Sequence, residues 1–338
     1  MLLKNDNSVL PLEKGARVAL VGPGAEDCDS ISGTWSAYIE NRFEMTLPEG
    51  LRGAGVDFTY TPCYDWKKGA VDSVALAAVA AKADVVVAIF GQRGTESGEG
   101  WSVLDVALPR VQVEALDALN ATGKPVVALL MNGRPLAIPE LAEKADAILE
   151  AWCPGTSGGG AIADVLTGKV NPEGRLTTEF PVMTGQLPLY YNRLRTGRPT
   201  EESAPYLSCY RDGPFQALYP FGFGLSYTTF AYANEKATVA DGTLTLEADV
   251  TNTGRVAGVE TVQAYTRQMV GVESRPIREL RAWRKVPLAP GETQHVVLKI
   301  PVAQLSYWAK DRLIPAAGPM RAWITCDSVS GKTLEFRL

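Results

Sequence analysis

Asp84-Val85-Val86-Val87-Ala88-Ile89-Phe90-Gly91-Gln92-Arg93-Gly94-Thr95-Glu96-Ser97-Gly98-Glu99-Gly100 passes from an unbroken apolar run into a polar loop rich in glycine. A run of that length without polar alternation reads as a strand buried on both faces, the pattern of a parallel sheet covered by helices. Pro109 then opens a helix in which Val113, Leu116 and Leu119 recur at a spacing of three, and Gly123 stops it. Strand, loop and helix in that order make the βα unit, and the loop leaves from the carboxyl end of its strand. Open α/β sheets place binding and catalytic groups on that edge.

The same alternation extends in both directions. Strands are expected at Arg17–Val21, Val56–Tyr60, Asp84–Phe90, Val126–Met131 and Ala147–Ala151, with helices at Val71–Ala81, Pro109–Asn120 and Gly159–Leu166. Residues 1–190 therefore read as an α/β sandwich around a mostly parallel sheet. Residues 191–230 are rich in Pro, Gly, Tyr and Arg without periodicity, and read as a connecting segment closed by Tyr219-Pro220-Phe221-Gly222-Phe223-Gly224-Leu225-Ser226-Tyr227. After Phe230 the period changes to two. Leu244, Leu246, Ala248 and Val250 alternate with Thr245, Glu247 and Asp249, and Asn252-Thr253-Gly254 supplies a turn. Residues 231–338 are thus expected to form an all-β sandwich of immunoglobulin or fibronectin III type.

Composition narrows the chemistry. The chain has 338 residues, enough for two cores at roughly 150 residues per domain. A net charge of −5 disfavours nucleic acid and anionic membrane as partners. The amino terminus shows no basic-then-apolar leader, and no apolar run approaches the ~20 residues that span a bilayer. Cys28, Cys63, Cys153, Cys209 and Cys326 are scattered, with no CxxC pair, so neither a zinc ribbon nor a disulfide framework is expected. A single histidine, His295, removes mechanisms that need two, and it sits on a strand where Val296, Leu298 and Ile300 take the inward face.

Among the remaining chemistries, glycoside hydrolysis needs two carboxyl groups, one to protonate the departing oxygen and one to attack or to activate water. Glu99 suits the first role: glycines flank it, and Trp101 is an apolar neighbour of the kind that raises a carboxyl pKa. Glu96, on the same loop, is its rival, and a solvated glutamate is the plain alternative for both. Trp35, in Gly33-Thr34-Trp35-Ser36, offers a flat apolar face for a sugar or, equally, a core indole. The glycines at 155–160 lack the Lys-Ser/Thr of a phosphate loop, and Gly22-Pro23-Gly24 lacks the third glycine of a dinucleotide fingerprint. Tyr64-Asp65-Trp66 reads as a surface loop.

Longer motifs now carry a resemblance. Leu2-Leu3-Lys4-Asn5, Leu10-Pro11-Leu12, Val18 through Pro23, Gly123-Lys124-Pro125 through Leu136, and Gly168 through Leu176 resemble the second domain of glycoside hydrolase family 3. Tyr219 through Phe230 with Val250-Thr251-Asn252-Thr253-Gly254 is similar to the junction and the fibronectin-III-like domain that close these enzymes. The likeness runs from Met1 to Leu338, and among family members it is to bacterial periplasmic β-glucosidases.

The resemblance implies a hydrolase acting on β-glucosides or oligosaccharides without metal or organic cofactor, with β-xylosides as the alternative substrate. It implies a preceding (β/α)8 barrel that carries an aspartate nucleophile, and a periplasmic or extracellular setting. It gives the acid/base role to Glu99 and an aglycone-side contact to Gly33-Thr34-Trp35. Val103 stands where the family has an arginine, and Gln92 where it has a glutamate. The chain has no room for eight βα units of ~25 to 30 residues each, so it reads as half of an active site. Its start inside a family helix is that of a truncated product, a fragment gene or one chain of a split enzyme. A non-catalytic module that binds sugar or protein is the alternative from another class.

Overall fold

A computed structural model describes residues 1–36, 40–195 and 210–338. Residues 196–209, in the expected connecting segment, and with them Cys209, lie outside the described residues. The chain divides into two compact units: Met1–Gly174 with Phe180–Leu187, and Arg175–Glu179 with Pro188–Leu338. Among the described residues no helix is long and apolar enough to cross a membrane.

The first unit is built on six strands: β1 (Leu2–Asn5), β2 (Arg17–Val21), β3 (Asp57–Thr61), β4 (Val85–Gly91), β5 (Val126–Met131) and β6 (Ala147–Glu150). They lie in the order β1-β6-β5-β4-β2-β3. All neighbours are parallel except β1, which runs antiparallel to β6. β4 and β5 are buried along their whole length, as their uninterrupted apolar runs require. Among the described residues six α-helices complete the unit: α1 (Cys28–Ser32), α2 (Leu47–Gly53), α3 (Ser73–Ala81), α4 (Arg110–Asn120), α5 (Pro139–Lys144) and α6 (Gly158–Leu166).

Strand order fixes where a site belongs. From β2 the chain moves outward to β3, then returns to place β4, β5 and β6 on the other side. Connections from β2 and β4 therefore diverge, and a crevice opens at the carboxyl ends of this neighbouring pair. The loops that leave there hold Trp35 and Glu99.

The second unit packs two antiparallel sheets face to face. One contains β7 (Phe230–Ala240), β8 (Thr243–Asn252) and β11 (Thr293–Pro301); the other contains β9 (Gly258–Gln268), β10 (Glu279–Leu288), β14 (Pro319–Thr325) and β15 (Leu334–Arg337). A short hairpin of β12 (Tyr307–Ala309) and β13 (Arg312–Ile314) stands apart from them. Leu244, Leu246, Val250, Val262, Val296 and Ile300 lie in the shared core. The period-two reading of β8 appears as strict alternation of buried and half-buried residues. His295 points outward, with its Nδ1 2.7 Å from Asp249.

β9 departs from that alternation, because residues 219–223 cover its outer face. Gln263 Nε2 donates to the Gly222 carbonyl at 3.0 Å, and Phe221 stacks on Tyr191, which meets Tyr265 edge-on.

Candidate active site

Gly91 ends β4 at φ +123°, and a Cβ there would lie 2.1 Å from the Met131 carbonyl oxygen, so only glycine carries the chain off the sheet at this point. The main chain of Gly91 is gripped by Gln112, a fully buried residue of α4. Gln112 Oε1 accepts from Gly91 N at 2.8 Å, and Nε2 donates to the carbonyls of Gly91 and Trp66. The loop beyond runs over the carboxyl edge of the sheet. One helical turn, Gly94–Glu96, is its only regular element.

Close backbone contacts hold that loop against its neighbours. Gly94 N donates to Ser30 Oγ at 3.2 Å, and the Thr34 hydroxyl donates to the Gly94 carbonyl. A Cβ on Gly98, itself at φ +119°, would meet Thr34 Cγ2 at 2.8 Å. Trp35 and Glu99 are thus each one residue from the contact between their two loops. Trp101 N donates to the Gly98 carbonyl at 3.2 Å, which closes a turn around Glu99.

The two candidate carboxylates have different surroundings. Glu96 Oε1 lies 2.5 Å from Lys67 Nζ, and Oε2 accepts from Arg93 N at 3.1 Å. Glu99 is exposed and makes no ion pair or hydrogen bond among the described residues. Trp35 is 76% exposed and Trp101 53%, so neither is a core residue of its unit. Val103 and Leu104 are exposed beside them, whereas Gln92 is buried at the start of the loop with its N–H on the Met131 carbonyl at 2.8 Å.

The 64–67 segment is not the surface loop expected from its residue types. Tyr64 and Trp66 are buried, with the Tyr64 hydroxyl on the Ile89 carbonyl at 2.7 Å and Trp66 Nε1 on Asp27 Oδ2 at 3.1 Å. Tight approach of Gly22 and Gly24 to Tyr64, Ile89 and Trp66 makes room for both rings. This segment also presents Lys67 to Glu96. A polar cleft of about 450 Å³ opens beside it, lined by Glu26, Asp27, Asp29, Tyr60, Arg93 and Thr95 among others.

Sequence reasoning missed a second group on the same edge. Glu150, at the end of β6, is 1% exposed, and burial pushes its carboxyl up to about 8. Its oxygens accept from Trp152 N at 2.6 Å and Asn132 Nδ2 at 3.2 Å. A lone glutamate closing an apolar strand (Ala147-Ile148-Leu149-Glu150) was the available signal. Among the described residues no cluster of three or more His, Cys, Asp or Glu is arranged to hold a metal ion.

Comparison with known proteins agrees with this architecture. A model of the glycosyl hydrolase family 3 C-terminal domain matches residues 1–227, and one of a fibronectin type III-like domain matches residues 260–328. A periplasmic β-glucosidase of Salmonella typhimurium is 38% identical across 100% of this chain and 48% of its own length. A β-xylosidase of Formosa agariphila is 37% identical over 92% of this chain and 44% of its own. The β-glucosidase of Listeria innocua, solved in complex with isofagomine, superposes with a TM-score of 0.93 at 36% identity, over 99% of this chain and 48% of that one. The chain spans about half the length of the curated relatives it matches.

Proposed function

We propose, for a chain that belongs to glycoside hydrolase family 3, that its first unit supplies the general acid/base of a retaining β-glucosidase and that Glu99 is that residue. The observation that carries this reading is the contrast within one loop. Glu96 is held by Lys67 and the Arg93 amide, while Glu99 is exposed on the carboxyl edge of the sheet with no partner among the described residues.

In this scheme Glu99 protonates the glycosidic oxygen as an aspartate on a (β/α)8 barrel attacks the anomeric carbon. The same carboxylate then deprotonates the water that releases the glycosyl group. Retention sets the two carboxyl groups ~5 to 5.5 Å apart. Trp35 and Trp101 offer flat apolar faces to the sugar on the leaving side. The exposed Val103 and Leu104 beside them fit a surface that meets a second body. No metal or organic cofactor enters the scheme. A periplasmic setting follows the Salmonella relative.

Glucosides are the first substrate assignment and xylosides the second, as the names of the two relatives divide. The test is hydrolysis of aryl β-glucosides and β-xylosides by this chain alone and by the chain joined to a family barrel. Negligible turnover alone is expected, with activity on joining and a loss of at least about 100-fold for Glu99→Gln. Robust turnover by the isolated chain would contradict the half-site. Saturable binding of cello-oligosaccharides to it, unchanged by Glu99→Gln, would instead make it a sugar-binding module.

A further inference from the structure

Of three consecutive residues after β5, Asn132-Gly133-Arg134, the last two meet the loop that carries Glu99 and the first holds them in place. Arg134 Nη2 donates to two carbonyl oxygens, that of Glu96 at 2.8 Å and that of Trp101 at 2.6 Å. Those carbonyls bracket Glu99 in sequence. One guanidinium group therefore pulls both ends of the Ser97-Gly98-Glu99-Gly100 turn together. Gly133 leaves space for Ser97: a Cβ at Gly133 would fall 1.9 Å from Ser97 Oγ and 2.7 Å from its Cβ. Asn132 holds the 132–134 segment itself, with Nδ2 donating to the Arg134 carbonyl at 3.0 Å and to the buried Glu150 at 3.2 Å.

The loop requires an external hold. Between Gln92 and Leu108 it has a single helical turn; Gly94 and Gly98 are packed against the Ser30–Thr34 segment, but beyond them Gly100 meets nothing and leaves the far end of the turn without such a hold. Hydrogen bonds from a charged donor are roughly twice as strong as neutral ones, and a planar guanidinium restricts direction as well as distance. Arg134 contacts main-chain oxygens alone, so it fixes the loop whatever side chains the loop bears.

We propose that Arg134, seated by Asn132 and Gly133, is the positioning residue for the proton donor: its bridge between the Glu96 and Trp101 carbonyls sets where the Glu99 carboxyl stands. The proposal rests on the reading of Glu99 as acid/base. It predicts a signature that loss of fold does not give. An acid out of place harms departure of a poor leaving group and leaves a good one nearly untouched, because the latter needs no proton.

The experiment is Arg134→Met in the chain joined to a family barrel, beside Glu99→Gln. The expected result is a fall of roughly 10- to 100-fold in kcat/KM for a phenyl or alkyl β-glucoside, and under about 3-fold for the 2,4-dinitrophenyl glucoside. Faster amide exchange at residues 97–101 should accompany it. In Arg134→Ala, added guanidinium ion at tens of millimolar should restore the slow substrate. Equal loss on both substrates, or unchanged exchange at 97–101, would overturn the proposal. If Glu99→Gln retains full activity, the acid/base reading fails, and amide exchange in Arg134→Met still decides whether the clamp exists.

Discussion

Glu99 and Glu96 are separated by three positions of one loop, and residue types alone do not rank them. The proposed ranking rests on Lys67, which reaches Glu96 from a segment remote in sequence, and no local pattern announces such a pair. Tyr64 and Trp66 failed to declare their burial for the same reason, since Gly22 and Gly24 make the space they fill. Glu150 shows the physics most plainly. Its ordinary value is 4.5, and burial raises it to about 8. Between those values the unfolded chain has lost the proton that the fold retains, so stability falls as pH rises through the window. Glu150→Gln keeps the shape without the proton. Its stability relative to the parent should improve by up to ~1.4 kcal/mol for each pH unit between 5 and 8, read from denaturation midpoints. Parallel curves for the two proteins would show that Glu150 does not titrate in that range.

Among the elements, β4 and β8 were the most legible, one as a continuous apolar run and the other by alternation. α4 lies where the apolar spacing of three places a helix. Its buried stripe is Val111, Gln112, Ala115, Leu116 and Leu119, and Val113 is only half buried. Gln112 is buried because it spends its whole amide on the main chain of Gly91 and Trp66. Gln112→Leu would orphan those groups at about 1 to 3 kcal/mol each, so a loss of roughly 3 kcal/mol or more is expected in the unfolding of the first unit. A loss below about 1 kcal/mol would mean that α4 is not what ties the loop to the sheet. α2 escaped notice although Thr46 and Glu49 form a capping box, a signal that was present in the sequence. β1 escaped because a four-residue edge strand has too few positions to show a period.

At the scale of the whole molecule, the change of period near Phe230 separated an α/β sandwich from a β-sandwich, and the order of its strands gave the first unit a crevice at the ends of β2 and β4. The course of Arg175–Glu179 was not legible. These residues fall inside the stretch 1–190 read as the α/β sandwich, yet Arg175 forms a nearly buried ion pair with Glu260 of β9 at 2.8 Å. On the proposed reading this chain contributes a proton donor and not a nucleophile. The most direct measurement replaces Glu99 with glycine in the chain joined to a family barrel and adds azide to the 2,4-dinitrophenyl glucoside reaction. Without a base for water the glycosyl-enzyme should accumulate, and azide should speed turnover at least about 10-fold and yield the β-glycosyl azide. Formation of the α-azide, or a variant that hydrolyses as fast as the parent without azide, would contradict the account.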